Sequence, residues 1–169
     1  MLINFKGMSQ YSEEVKPEYQ NSACGPTTVH VILNYLFEDP TVSKDVNILY
    51  EMLGGTKIGL FKWRLIKNLQ RYLGPKWNVA SCTLYEALQQ LDEGRPVAMK
   101  FDCYFTFQWM AKPEFKYHWV PLIGYEIKND ELYLILHDNG GRTKNNKIRV
   151  VRYANNHNVL SFVKIEPRR

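Results

Sequence analysis

The chain has 169 residues, 45% of them hydrophobic and 23% charged, with a formal net charge of +5. That is an ordinary globular balance, large enough for a proper core and read as one domain over residues 1–169. No apolar run approaches the roughly 20 residues of a membrane span, and Met1 to Lys6 lacks the apolar core of a signal peptide, so the expected setting is cytoplasmic, with no membrane partner.

In chain order, Leu2 to Phe5 suggests a short strand. Residues 24–38 carry Val29, Ile32, Leu33, Leu36 and Phe37 at helical spacing, and Asp39-Pro40 ends that helix. Residues 43–53 read as a second helix, stopped by Gly54-Gly55. Residues 59–73 read as a third, with Leu60, Trp63, Ile66, Leu69 and Leu73 as its apolar stripe and Gly74-Pro75 as its stop. Trp77 to Ala80 is strand-like. Thr83 and Glu86 form the signature of a capping box that opens a helix running to Asp92.

Arg95 to Phe101 is a strand, and 102–116 is an aromatic-rich connection with Tyr104, Phe105, Phe107, Trp109 and Phe115. Strands are expected at 117–127, 131–137, 147–152 and 160–165, with Asn129-Asp130 as a hairpin turn. The fold class is therefore α+β, with N-terminal helices packed on a C-terminal antiparallel sheet. A two-residue turn at Asn129-Asp130 puts Asn139 on the face of His118. Adding one residue to the turn puts Asp138 there instead, because a single slip swaps the faces.

Cys24 carries the chemistry. It stands in Gln20-Asn21-Ser22-Ala23-Cys24-Gly25-Pro26-Thr27-Thr28, at the start of the first helix. Exposed N–H groups and the macrodipole there favour an anion, which lowers a thiol pKa. A thiolate nucleophile also needs a base. Six residues along the helix, His30 points well round from Cys24. His118 opens a β-rich run, and the next such run ends at His137-Asp138-Asn139-Gly140-Gly141. A cysteine on an early helix, a histidine at a strand start and Asp or Asn at the end of the next strand is one chain order for a Cys–His–Asp/Asn site.

Three blocks then resemble the papain-like cysteine peptidases, in particular the bacteriocin-leader-processing (double-glycine) branch. They are Cys24-Gly25-Pro26-Thr27-Thr28, Glu93-Gly94-Arg95-Pro96-Val97-Ala98, and His118-Trp119-Val120 through Gly124-Tyr125. The resemblance implies a papain-like fold, Cys24 as nucleophile, His118 as base and Asp138 as orienter. Many relatives have Asp-Pro where this chain has Asp138-Asn139, and Asn139 is the alternative orienter. The family also implies an oxyanion-stabilising glutamine upstream. Six residues before Cys24 stands Glu18, so the candidates are Gln20 and, with a longer loop, Gln10, the preferred one.

The remaining cysteines and histidines have plainer readings. Cys82 and Cys103 read as small buried hydrophobes, and His137 and His157 as surface or satisfied strand residues. Three widely separated cysteines make no disulfide framework and no paired metal-ligand motif, so neither metal nor cofactor is expected. Lys62, Arg64, Lys67 and Arg71 read as the solvated face of a helix. Arg142, Lys144, Lys147, Arg149 and Arg152 read as a basic strand edge or a rim for acidic substrate. No nucleic-acid fold signature accompanies them, so no nucleic-acid partner is expected. The implied partner is a peptide or protein substrate. Two neighbouring functions stay open: a related acyl-transfer enzyme, and a non-catalytic relative that binds peptides.

Overall fold

The computed structural model describes residues 1–39, 41–42, 45–108, 110, 112–140 and 146–168. Among these residues, the helices are α1 (Pro17–Gln20), α2 (Cys24–Leu36), α3 (Val46–Leu53), α4 (Lys62–Leu73) and α5 (Leu84–Asp92). The strands are β1 (Trp77–Cys82), β2 (Val97–Asp102), β3 (Tyr117–Lys128), β4 (Glu131–Asp138), β5 (Lys147–Arg152) and β6 (Leu160–Pro167). They form one antiparallel sheet in the order β1-β6-β2-β3-β4-β5.

Alternation along the strands splits the core over the two faces of that sheet. On one face Ile32 and Leu33 of α2, Leu49 and Leu53 of α3, and Leu65 and Leu69 of α4 pack with Ala98, Trp119 and Val163. On the other, Ala87 and Leu91 of α5 pack with Met99, Phe101, Val120, Leu122 and Leu136. Each fully buried leucine, isoleucine, valine, phenylalanine or methionine among them contributes about 1.5–3 kcal/mol relative to exposure. The architecture is the expected α+β, except that α5 takes the face opposite α2, α3 and α4.

Several boundaries move for identifiable reasons. α3 starts at Val46 because the Asp45 carboxylate caps Asn47 N at 2.8 Å and Ile48 N at 3.4 Å. Residues 43 and 44, and Pro40, lie outside the described residues. α4 starts three residues later than its apolar stripe suggests. Thr56 and Gly59 close a tight turn on each other, and the Leu60 carbonyl is taken by the Trp119 indole at 2.9 Å. The capping box at Thr83 and Glu86 forms as read. The expected strand at 2–5 is reduced to one bridge, between Leu2 and Gly124.

The hairpin decides which side chain reaches His118. Asn129 and Asp130 form a two-residue turn, both with positive φ (51° and 61°), and Lys128 pairs with Glu131. An unbroken ladder from that turn would put Asn139 on the His118 face. A β-bulge intervenes: Gly124 pairs with Ile135, but the next partners are Leu122 and Leu136, so β3 carries one extra residue, Ile123. The odd residue thus sits in the strand rather than in the turn, and the faces swap so that Asp138 shares a side with His118. Past the end of β2, the N-terminal segment runs beside this stretch. Ile3 N donates to Ile123 O at 2.8 Å and Tyr125 N to Met1 O at 3.0 Å. A Cβ on Gly124 would lie 2.4 Å from Met1 O, so the close approach requires glycine.

Candidate active site

α2 begins at Cys24 without a side-chain cap, since residue 23 is alanine, and without an acidic residue in its first turn. Its first N–H groups therefore stay available, and the Cys24 sulfur accepts from the backbone N–H groups of Gly25 and Trp119. Gly25 is fixed by packing: a Cβ there would come within 2.8 Å of Leu60 Cβ. Cys24 is buried among these groups, at the floor of a cleft of about 810 Å³.

His118 lies against Cys24. Its Nε2 donates to Asp138 Oδ1 at 3.0 Å, which leaves Nδ1 for the sulfur. Burial disfavours the thiolate, but the hydrogen bond and charge of His118, with the two N–H groups, outweigh it, and the Cys24 pKa falls below its ordinary value. Burial also disfavours a charged imidazole. Hydrogen bonds and charges from Asp138 and Cys24 outweigh it in turn and raise His118 to about 9. Both directions favour a thiolate–imidazolium pair.

Asp138 is fully buried, and both of its oxygens are occupied. Oδ1 also accepts from Gly140 N at 2.9 Å, and Oδ2 accepts from Arg149 Nε at 2.6 Å. Arg149 Nη1 lies 3.4 Å from Glu114 Oε1, and its guanidinium stands 5.6 Å from the centre of the Phe115 ring. Phe115 in turn packs on the imidazole, ring centres 4.7 Å apart.

Asn139, the alternative orienter, faces away from the imidazole. Its Nδ2 donates to Cys24 O (3.2 Å), Thr28 Oγ1 (2.8 Å) and Trp119 O (3.1 Å), and its own carbonyl accepts from Gln10 N at 2.9 Å. It ties the start of α2, the start of β3 and the Gln10 loop together. Gln10 lines the same cleft as Cys24 and His118. One Nε2 hydrogen goes to Gln20 O at 2.7 Å, and a primary amide has a second. The Gln20 amide instead donates to Ser12 O (3.3 Å) and Val15 O (3.2 Å), and Gln20 is absent from the cleft lining.

The other histidines and cysteines stand apart from the cleft. His30 bonds Asn34 at 3.0 Å, and the exposed His157 contacts Ala154 O at 2.9 Å. His137 differs from expectation: it is buried, packed against Phe5, and its Nδ1 has no hydrogen-bond partner among the described residues. Burial pushes the Cys82 thiol up to about 12, so it stays protonated. No group of three His, Cys, Asp or Glu side chains among the described residues is placed to hold a metal ion. No helix there is long and apolar enough to cross a membrane.

Sequence reasoning missed Arg149, Phe115 and the tying role of Asn139. Arg149 was one basic residue in an alternating run. Its inward direction follows only from the ladder in which Leu136 faces Arg149 and Asp138 faces Lys147, setting Asp138 and Arg149 diagonally on one face.

An α+β protein with a helix-borne cysteine against a strand-borne histidine is the class that fold and site define. A family model described as the Peptidase_C39 like family matches residues 3–165, and the chain belongs to that family. Its architecture is consistent with the papain-like fold of C39 peptidases. No curated protein sequence matches the chain significantly.

Proposed function

We propose that this chain is a cysteine peptidase with Cys24 as nucleophile, His118 as proton carrier, Asp138 as orienter and Gln10 as oxyanion donor. The observation that carries the reading is Cys24 at the uncapped start of α2, bonded to an imidazole that is itself bonded to a buried carboxylate. The family supports peptidase chemistry in general; the residue roles rest on geometry.

In this reading the Cys24 thiolate adds to the scissile carbonyl carbon, and the carbonyl π pair moves to oxygen. The Cys24 backbone N–H and the free Gln10 Nε2 hydrogen stabilise that oxyanion. As the tetrahedral species collapses, the C–N bond breaks, the amine takes the imidazolium proton, and a thioester to Cys24 remains. Neutral His118 then removes a proton from water as it attacks the thioester. The acid departs and the thiolate–imidazolium pair is restored.

The cleft also has a sign. Lys57, Lys112 and Lys116 line it, none in a salt bridge among the described residues, while its carboxylate Glu114 is engaged by Arg149. Peptides with carboxylates near the scissile bond suit that lining.

Stoichiometric labelling by an epoxide inhibitor, with Cys24 identified by mass spectrometry, followed by cleavage profiling of a peptide library, tests the reading. Labelling and cleavage lost together in Cys24→Ser support it. Labelling with no peptide cleaved would favour acyl transfer or peptide binding.

A further inference from the structure

Three hydrogen bonds hold the Asp138 carboxylate among the described residues. Oδ1 takes His118 Nε2 and Gly140 N, and Oδ2 takes Arg149 Nε at 2.6 Å, with the carboxylate fully buried and the Arg149 side chain 17% exposed. The guanidinium closes a ring of contacts. It holds Asp138, Asp138 holds His118, His118 packs on Phe115, and Phe115 lies beside the guanidinium. We propose that Arg149 is a positioning residue of this site. It pins the plane of the Asp138 carboxylate so that Oδ1 stays aimed at Nε2, and it shares the carboxylate charge so that His118 can still release its proton.

The argument is electrostatic. A buried carboxylate with the imidazole as its sole cationic partner would hold the imidazolium strongly and resist the proton transfer to the leaving amine. A second cation on the other oxygen weakens that hold without removing it. A two-point fork is better suited to this than an ammonium, because Nε serves Asp138 while Nη1 reaches Glu114. Among the described residues, the charged and titratable groups around the imidazole and its carboxylate are Cys24 from α2, Asp138 and His137 from β4, Arg149 from β5 and Glu114 from the segment before β3. The phenols of Tyr11 and Tyr117 stand within electrostatic reach of Cys24.

The inference rests on the Cys24–His118 reading, and one measurement separates the two: the pH dependence of Cys24 alkylation by iodoacetamide. In the native chain two limbs are expected, one acidic for formation of the thiolate–imidazolium pair and one alkaline for its loss. A single limb near pH 8.5 would remove the pair and this inference with it. Arg149→Met takes away a cation, so both limbs should move alkaline by about one pH unit. Arg149→Lys, which restores charge without the fork, should bring them back. In the same variant kcat should fall about tenfold with KM unchanged, because Arg149 does not line the cleft. Should Arg149→Met not fold, Glu114→Gln provides the test with the opposite sign. Freed from Glu114, the guanidinium bears more fully on Asp138, and both limbs should move acidic. Limbs that stay in place in either variant, with only the melting temperature lowered, would overturn the proposal.

Discussion

At the residue scale, burial and partners set three thiols apart. Cys24 has a lowered pKa, whereas burial raises Cys103 and raises Cys82 to about 12. At pH 6 iodoacetamide should therefore modify Cys24 alone, within the intact fold, as peptide mapping would show. Cys24→Ser should abolish it, while Cys82→Ser and Cys103→Ser leave it unchanged. The sign for His118 is equally definite. Its value is raised from 6.5 to about 9, so the imidazolium persists through neutral pH and is lost as pH rises through about 9. Peptide turnover should fall above about pH 9, where the acid that protonates the leaving amine is gone. Gln10→Ala should lower kcat by about 10²–10³ while Cys24 alkylation persists, because alkylation forms no tetrahedral oxyanion. Gln20→Ala should cost stability instead, about 0.5–1.5 kcal/mol for each of its two backbone hydrogen bonds, read by denaturant unfolding.

At the element scale, Asn139 joins α2, β3 and the Gln10 loop through one side chain and one carbonyl. Asn139→Ala strands buried acceptors at about 1–3 kcal/mol each, so it should lower stability markedly and activity through stability. Asp138→Asn should spare stability more and turnover less, and comparing melting curves with kcat separates the two neighbours. Here too lies the boundary of what the sequence discloses. The cysteine helix, the capping box at Thr83 and the hairpin turn are local patterns, and each is legible in a short window. Cys24 and His118 were legible for the same reason, each marking the start of an element. The choice between Asp138 and Asn139 was not, because it depends on a bulge that no side-chain pattern in 117–128 announces. Arg149 was hidden likewise: its direction depends on the pairing of two strands, and the residues linking them include 141–145, which lie outside the described residues.

At the scale of the whole molecule, the charge of +5 has a local expression in the cleft. Lys57 comes from the turn before α4, while Lys112 and Lys116 come from the connection between β2 and β3, so basic groups enter from two separate parts of the chain. Peptides with glutamate flanking the scissile bond should show higher kcat/KM than lysine counterparts. That advantage should shrink as salt rises from about 0.05 to about 0.5 M, where the screening length falls well below the cleft dimensions. Charge reversal by Lys112→Glu or Lys57→Glu should weaken the preference without altering Cys24 alkylation, because two of the three lysines remain.

The glycine beside the bulge carries a liability that a map of the proposed catalytic residues would not show. A methyl group at Gly124 would strike the main chain at Met1, loosening the edge that accompanies the bulge. Chains whose ladder then runs straight would present an amide, not an acid, to the imidazole. A library of random substitutions sorted for loss of Cys24 alkylation should thus return Gly124 alongside Cys24 and His118 themselves. Its alleles should keep native circular dichroism, the mark of a molecule that has lost its count rather than its fold.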